Sequence, residues 1–237
     1  MNVAIITAKG NNESIKNKNL LPIMGVPAFL YPVRAAQQAS NIDEVYVSTE
    51  DKEIKRICLL EGISVIDRPK ELSSPTSQHK DVIKHAVLCL PYQKLDVVTV
   101  LLGNTVHLTP KLIDESIDMI GEDCDSVVSV WKAQDDHPYR ALNIEEGYVK
   151  SFLNKEVSSN RQSYPDVYYY DQGVWTFKKH CALDQKGPSP WVWLGEKCKL
   201  LERNWVTGRD IHSWIDISAS VWYLNSLQTS EYINFKE

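Results

Sequence analysis

MNVAIITAKGNNESIKNKNL, residues 1–20, is the stretch that decides the fold. Residues 3–6 form a short apolar run of the kind found in a buried parallel strand. The chain then becomes polar and carries Gly and Asn, which favour a turn. Open α/β sheets bind anionic ligands where their strands end. The stretch therefore predicts a first strand and a phosphate-binding loop, with positive charge from Lys9, Lys16 and Lys18. The alternative is an ordinary surface loop with solvated lysines.

The bulk composition narrows the class of protein. With 237 residues, 43% of them hydrophobic, the chain can bury one large core. A net charge of −5 and a pI near 5.7 argue against non-specific binding to nucleic acid or to an anionic membrane. The sequence has no apolar run of roughly 18 residues and no signal-peptide pattern at its N terminus. We therefore expect a soluble, cytoplasmic protein with no nucleic-acid or membrane partner.

The cysteines are odd in number, widely spaced and never in a C-x-x-C pair. They are Cys58, Cys89, Cys124, Cys181 and Cys198. This pattern predicts buried, reduced thiols rather than disulfides or zinc ligands.

Downstream of the first loop, apolar strands alternate with amphipathic helices. The predicted strands are residues 44–49, 63–66, 96–102, 125–131 and 166–177. The predicted helices run from the turn at 25–27 to residue 39, and then over 50–61, 81–90, 111–120 and 221–227. The most hydrophobic strand, DVVTVLL at 96–102, is expected in the middle of the sheet. Asn104 and Thr105 follow its carboxyl end and should face a ligand crevice.

Several segments resemble the acylneuraminate cytidylyltransferase family, which comprises the CMP-sialic acid and related CMP-nonulosonate synthetases. The first loop matches the family pattern I-P-A-R-x-x-S-K-x-I-x-x-K-N at Ala8, Ile15, Lys18 and Asn19. Later matches are R-P-x-E-L at residues 68–72, S-V-V-S-V at 126–130 and N-R-Q-x-x-P at 160–165. Residues 214–218 resemble the family's I-D-I-D segment, whose aspartates coordinate magnesium.

Three positions depart from the family pattern. Lys9 replaces an arginine, which keeps the charge but loses the bidentate fork. Glu13 replaces a lysine and reverses the charge beside the expected triphosphate. Asp216 matches the first aspartate of the metal segment, whereas Ser218 replaces the second.

The resemblance implies a Rossmann-like, mainly parallel α/β sheet flanked by helices, of the nucleotide-diphospho-sugar transferase type. It implies that residues 1–237 form a single cytidylyltransferase domain. Residues 135–165, a polar segment that we call the extension, are expected to pair two subunits. We therefore expect a homodimer with two-fold symmetry.

The activity that the resemblance implies is transfer of CMP from CTP to an acidic sugar, with release of pyrophosphate. Sialic acid and other nonulosonic or Kdo-like acids all remain open as acceptors. Mg²⁺ is the implied cofactor, because it offsets the charge that develops on phosphate oxygens.

The resemblance also implies roles for individual residues. The catalytic candidates are Lys9, Lys18 and Asp216, of which Asp216 is also the metal ligand. The nucleotide-binding candidates are Ala8, Lys9, Gly10, Asn12, Lys18, Asn19, Arg68, Ser77 and His79. The substrate-binding candidates are Asn104, Thr105, Arg161, Gln162, Tyr170 and Asp171.

The two arginines among these candidates each have a second interpretation. Arg68 is expected to lie near the cytosine base, and otherwise to be a surface charge at a strand end. Arg161 is expected to bind the sugar carboxylate bidentately, and otherwise to form an intrachain salt bridge.

Two further hypotheses concern the whole protein. The first is an enzyme of the same fold that uses another nucleotide or a sugar phosphate. The segment Thr-Ala-Lys-Gly at 7–10 disfavours it, because such enzymes usually open with a Leu-Ala-Gly loop. The second is a non-catalytic binding paralogue that kept the fold and lost the metal site. Glu13 and Ser218 favour it, whereas the retained Lys18, Arg68, Arg161 and Asp216 disfavour it.

Overall fold

The computed structural model describes residues 1–10, 12, 14–153, 156–205 and 207–229. Glu13, which departs from the family pattern, lies outside the described residues. All five cysteines are free thiols, as predicted, although Cys89 is exposed and Cys198 is only half-buried. Among the described helices, none combines the length and the apolar character needed to cross a bilayer.

The core of the fold is a seven-stranded sheet with the order β11-β7-β10-β6-β1-β4-β5. The strands of the structure are β1 (Asn2–Thr7), β2 (Pro22–Ile23), β3 (Val26–Pro27), β4 (Glu44–Thr49), β5 (Ser64–Asp67), β6 (Val97–Leu102), β7 (Ser126–Lys132), β8 (Leu142–Glu145), β9 (Tyr148–Ser151), β10 (Tyr168–Lys178) and β11 (Cys198–Glu202). Every neighbouring pair in the large sheet is parallel except the two that involve β10, which runs antiparallel to β6 and β7. The prediction of a Rossmann-like, mainly parallel sheet is confirmed.

Helices cover the faces of this sheet. They are α1 (Leu30–Gln38), α2 (Lys52–Leu60), α3 (His79–Leu88), α4 (Pro110–Asp118), α5 (Cys181–Asp184) and α6 (Trp214–Thr229). Their boundaries follow local chemistry: the Asp51 side chain accepts two N–H bonds at the start of α2, and the Thr109 hydroxyl caps α4 just before Pro110. Two buried clusters of apolar side chains, one on each side of the sheet, fill the space beneath the helices.

Three local predictions need correction. The first helix begins at Leu30 rather than directly after the turn, because residues 22–27 pair as the small β2–β3 hairpin. Strand β11 was not predicted at all. The last helix begins at Trp214 and not near residue 221, so Asp216 lies in its first turn and not before the helix. The reason is a cap, since the Asp216 carboxylate accepts bonds from the backbone N–H groups of His212 and Ser213.

The extension leaves the sheet between β7 and β10. Its β8–β9 hairpin exposes apolar side chains to solvent, with exposed fractions of 65% for Leu142, 77% for Ile144, 66% for Val149 and 63% for Phe152. Since β7 runs parallel to β6 and β1, the extension starts at the edge of the sheet where those strands also end. The grouping of residues 1–237 into one domain stays a prediction.

Candidate active site

A cavity of about 330 Å³ lies at the carboxyl ends of β1 and β6. Its wall is built from Thr7, Lys9, Asn12, Lys18, Asn19, Arg68, Leu72, Ser74, Ser77, His79, Val82, Leu102, Asn104, Gln172, Asp210 and His212. Eight of the sequence-predicted candidates are in this list, and they come from the first loop and from the segments that follow β5 and β6. Ala8 and Gly10 belong to the same loop but do not line the cavity. The position agrees with the rule that open α/β sheets bind ligands beyond the carboxyl ends of their strands.

The first loop presents its charge from a buried position. The Lys18 ammonium donates to the Ile211 carbonyl at 3.0 Å, and burial lowers the pKa of Lys18 while the Asp210 carboxylate opposes that shift. Asn19 is also buried and donates to the Lys9 carbonyl at 2.8 Å. These bonds hold the loop in one conformation, so the cavity is largely preorganised for an anion.

Gly103 makes this packing possible. A Cβ atom at Gly103 would lie 2.9 Å from the Ala8 Cβ and 3.1 Å from the Asn19 Oδ1. Gly103 therefore lets the end of β6 approach the first loop closely.

Arg68 forms one wall of the cavity. Its Nε donates to the Ser48 hydroxyl at 3.2 Å and its Nη2 donates to the Ser48 carbonyl at 2.6 Å. Only 7% of Arg68 is exposed, and this burial lowers its pKa to about 10 even though Glu50 opposes the shift. The interpretation of Arg68 as a plain surface charge is wrong.

His79 lies beside Arg68 as a neutral group. Its Nε2 is 3.3 Å from the Thr7 hydroxyl, and its ring contacts the edges of Trp175 and Trp193. Burial, with a smaller effect of Arg68, lowers the pKa of His79 to about 3. The imidazole is therefore uncharged near neutral pH and can act as a hydrogen-bonding group only.

Asp210 and His212 are cavity residues that the sequence analysis missed. Asn104 Nδ2 donates to Asp210 Oδ2 at 2.7 Å and to the Ile211 carbonyl at 3.0 Å. His212 Nε2 lies 2.9 Å from Asp210 Oδ2, and this contact raises the pKa of His212. The available signal was the alternation Asp-Ile-His, which puts both polar side chains on one side of the buried Ile211.

A second cavity of about 190 Å³ adjoins the first and shares Gln172, Asp210 and His212 with it. It is also lined by Trp131, Tyr170, Asp171, Trp205, Gly208, Arg209 and Asp216. The predicted acceptor residues Tyr170 and Asp171 therefore lie next to the predicted nucleotide residues. Thr105, by contrast, is buried and lines neither cavity.

The Asp171 carboxylate is already bonded on both oxygens. It forms a salt bridge of 3.0 Å with Arg203 and accepts from the Ser129 hydroxyl at 2.5 Å and from Gly173 N at 2.8 Å. The side chains of Asp171 and Arg203 are 0% and 5% exposed. Arg203 also donates to two backbone carbonyls, those of His107 and Thr207. The pair thus connects β10 to the segment that carries Asp210.

Asp216 is occupied in a similar way. Its Oδ1 accepts from Arg209 Nε at 3.1 Å and Nη2 at 2.8 Å, and its Oδ2 accepts from His212 N, Ser213 N and Ser213 Oγ at 3.0, 2.7 and 2.8 Å. Burial alone would raise the pKa of Asp216, but the bonds from Arg209 and Ser213 outweigh it and lower the pKa to about 2. Five donors leave little room for an ion, so this carboxylate does not fit the role of a metal ligand. Ser218 is exposed and donates to the Trp214 carbonyl.

Arg161 and Gln162 are not brought into either cavity. Arg161 Nη1 donates to Asp135 Oδ1 at 2.5 Å. Arg161 and Gln162 line a separate cavity of about 310 Å³ together with Lys132 and His137. Within one chain, Arg161 therefore forms the intrachain ion pair that was its alternative interpretation.

Comparison with known proteins assigns the family. The cytidylyltransferase family model matches residues 3–179. The chain belongs to this family. It is 30% identical over 145 residues to N-acylneuraminate cytidylyltransferase A of Danio rerio, an alignment that covers 61% of this chain and 33% of the relative. It is 31% identical over 186 residues to N-acylneuraminate cytidylyltransferase B of the same fish, covering 76% and 42%.

A bacterial relative is a bifunctional enzyme. The chain is 24% identical over 188 residues to the pseudaminic acid cytidylyltransferase and UDP-2,4-diacetamido-2,4,6-trideoxy-beta-L-altropyranose hydrolase of Helicobacter pylori, covering 78% of this chain and 36% of that protein. Aligned regions thus span about a third to under a half of these curated relatives.

Solved structures support the fold. The CMP:2-keto-3-deoxy-manno-octonic acid synthetase complexed with CTP superposes with a TM-score of 0.71 at 15% identity, covering 97% of this chain and 99% of that one. The 4-diphosphocytidyl-2C-methyl-D-erythritol synthase of Anaerococcus prevotii superposes with a TM-score of 0.67 at 17% identity, covering 94% and 96%.

Proposed function

We propose that the protein is a cytidylyltransferase that joins CTP to an acidic sugar and releases pyrophosphate. The observation that carries this proposal is the convergence of Lys9, Lys18, Arg68 and Asp210 on one cavity at the carboxyl edge of the sheet. Family membership supports the cytidylyl part, and the named substrates of the curated relatives support the acidic sugar.

The larger cavity would hold the nucleotide. The base lies against Arg68, whose guanidinium is fixed by Ser48 and needs no reorganisation on binding. The triphosphate lies along the first loop, where Lys9 and Lys18 offset its charge. His79, being neutral, offers a hydrogen bond without adding charge near the base.

Mg²⁺ fits this cavity through Asp210 rather than through Asp216. Asp210 lines both cavities, and its described contacts, with Asn104 Nδ2 and His212 Nε2, are both made by Oδ2, whereas Asp216 accepts from five donors on both oxygens. Mg²⁺ keeps several waters and needs few protein ligands, so one carboxylate with phosphate oxygens can hold it. When bound, the ion would supply charge stabilisation at the α-phosphate.

The smaller cavity would hold the acceptor sugar. It adjoins the nucleotide cavity at Gln172, Asp210 and His212, so a sugar there lies beside the α-phosphate. The anomeric hydroxyl forms the new O–P bond as the bond to pyrophosphate breaks. The role of this chain is to align the two substrates and to keep the aromatic side of the sugar site, Trp131 and Tyr170, free of bulk water.

Arg161 and the apolar hairpin support a homodimer. Arg161 lies outside both cavities of its own chain, and the hairpin beside it exposes Leu142 and Ile144 to solvent. A second copy that covers the hairpin would bury these side chains and bring the extension toward a cavity of the partner. We assign the reaction to the cytoplasm, where CTP is made.

Pyrophosphate release tests this function directly. Purified protein is incubated with each of the four nucleoside triphosphates, with Mg²⁺ or Mn²⁺, and with N-acetylneuraminic, pseudaminic, legionaminic or 2-keto-3-deoxy-octonic acid. We expect release with CTP and at least one of these acids. Release with another nucleotide alone would replace the cytidylyl assignment, and no release under any condition would favour the non-catalytic paralogue.

A further inference from the structure

Gln172 has an unusual backbone conformation for a residue inside a strand. Its φ angle is 59°, in the left-handed region that residues other than glycine adopt at a cost. The other described non-glycine residues with positive φ lie where the chain turns or a helix begins or ends, and they are Asn17, Met24, Glu146 and Gln185. Gln172 instead lies within β10. Strain of this kind points to a function that depends on it.

A bulge in β10 produces this conformation. The pairing of β10 with β7 shifts there, so that residues 171–174 of β10 face the single residue Ser129 of β7. The Ser129 hydroxyl accepts from Val174 N at 2.6 Å and donates to the Asp171 carboxylate at 2.5 Å. These bonds fix the chain on both sides of Gln172, so the bulge does not depend on the Gln172 side chain.

Two further contacts hold the backbone of the bulge. The Thr105 hydroxyl, beyond the end of β6, donates to the Gln172 carbonyl at 3.4 Å. Gly173 packs so closely on Arg203 that a Cβ atom there would lie 2.1 Å from Arg203 Nη1. The bulge is therefore fixed to the strands on either side of β10 and to the buried Arg203, and its geometry is set before any ligand binds.

The Gln172 side chain lies where the two cavities meet. Gln172, Asp210 and His212 are the residues that line both of them. Asp210 and His212 are bonded to each other, whereas the half-buried Gln172 makes no side-chain hydrogen bond with any residue that the structure describes. Its two N–H donors and its carbonyl oxygen are therefore available to ligands in both cavities.

A carboxamide at this junction matches both substrates of the proposed reaction. The α-phosphate presents non-bridging oxygens that accept hydrogen bonds, and a sugar presents hydroxyl groups that donate them. A lysine could only donate and an ionised aspartate could only accept, whereas a carboxamide does both and neither gains nor loses a proton.

We propose that Gln172 is a catalytic residue that connects the two substrates: its N–H group donates to a non-bridging oxygen of the α-phosphate of CTP, and its carbonyl oxygen accepts from a hydroxyl group of the acceptor sugar. The two bonds align the anomeric oxygen with the bond to pyrophosphate that breaks. The strained backbone is what aims the carboxamide at both cavities. This inference rests on the proposed function, because it needs CTP in one cavity and the acidic sugar in the other.

Gln172→Gly tests the proposal, because glycine adopts a positive φ without strain and the substitution removes the carboxamide. We expect kcat for pyrophosphate release to fall about 10²-fold through loss of alignment, while Kd for CTP changes less than about threefold. The melting temperature should stay the same or rise by up to about 4 °C, because the strain is relieved. The matched control is Gln185→Gly, which changes the same residue type at a φ of 50° outside both cavities and should keep the full kcat.

Two results overturn the proposal. The first is an unchanged kcat in Gln172→Gly. The second is a fall of more than about 4 °C in its melting temperature, which would make Gln172 a structural residue of the bulge. The wild type separates this inference from the proposed function: release of pyrophosphate by the wild type with an unchanged kcat in Gln172→Gly refutes only the role of Gln172. A wild type that releases no pyrophosphate from CTP with any of the four acids refutes the proposed function and this inference with it.

Discussion

The first loop and the extension leave the same edge of the sheet, but they differ in how their polar and apolar groups are satisfied. In the first loop, Lys18 and Asn19 are buried and hydrogen-bonded to other parts of the chain. In the extension, Leu142 and Ile144 are exposed while Arg161 pairs with a neighbour at the surface. The loop is complete within one chain and ready for a ligand, whereas the extension offers a surface that a partner would complete. Substitutions in the loop should therefore reduce ligand binding and turnover, whereas substitutions in the extension should reduce the pairing of subunits.

The largest effect is expected at Lys18, whose replacement removes a buried charge and the contact with Ile211. Lys18→Met should lower kcat/KM for CTP by about 10²-fold or more, the scale of losing one preorganised electrostatic contact. The measurement is pyrophosphate release under saturating acceptor. Lys16→Met is the matched control, because Lys16 is an exposed lysine of the same loop. Equal losses in the two variants would mean that the loop acts by total charge and not by the fixed position of Lys18.

The second comparison separates Asp210 from Asp216. Asp210→Asn should reduce turnover by about 10²-fold with little change in melting temperature, because its carboxylate faces the cavity. Asp216→Asn should lower the melting temperature, because it weakens a helix cap that is worth roughly 1 kcal/mol. Thermal unfolding and pyrophosphate release are measured on both proteins. A large loss of turnover in a fully stable Asp216→Asn would restore Asp216 as the metal ligand.

A smaller effect is expected at Arg68, which would bind the base rather than the reacting phosphate. CTP should raise the melting temperature of the wild type more than UTP, ATP or GTP does. Arg68→Ala should remove this preference and weaken CTP binding by about tenfold, the cost of one or two charge-assisted hydrogen bonds. Equal shifts with all four nucleotides in the wild type would exclude base recognition at this site.

The smallest effects on the folded chain are expected in the extension. Leu142→Ser combined with Ile144→Ser should convert a dimer to a monomer in light scattering, while leaving the melting temperature of the monomer nearly unchanged.

Arg161→Lys should raise KM for the acidic sugar a few-fold without changing KM for CTP, because a point charge cannot reproduce the bidentate fork. A wild type that is monomeric at micromolar concentration, or an unaltered sugar KM in Arg161→Lys, would remove the extension from the active site.

The parts of the molecule that depend on local pattern could be predicted from the sequence. The apolar run at residues 3–6 became the central part of β1, and the R-P-x-E-L match correctly indicated that Arg68 lines the cavity. The same is true of Lys18 and Asn104, which follow strand ends. Arg68 and Asn104 follow the ends of β5 and β6 within two residues, so a short window of sequence contains most of the needed information, whereas Lys18 was indicated by the motif of the first loop.

Features set by long-range contacts could not be predicted in this way. Asp216 sits in a segment that resembles a metal motif, but a helix cap formed with Ser213 and Arg209 takes up its oxygens. Asp210 has no such motif, and it reaches the cavity only because Asn104, 106 positions earlier in the chain, holds it there. The alternation Asp-Ile-His places Asp210 on the same side of the chain as His212, but it does not identify Asn104 as the partner.

The bond from Lys18 to Ile211 joins positions that are 193 residues apart. Contacts of such long sequence separation carry a large loop-closure cost and tend to form late in folding. During synthesis, the strands of residues 3–179 can emerge and pair before the segment that supplies Asp210 and His212 has left the ribosome. We therefore expect the nascent chain to acquire a stable sheet first and its nucleotide affinity only after residue 212 has left the ribosome, so that a ribosome stalled before residue 210 would display a folded intermediate that does not bind CTP.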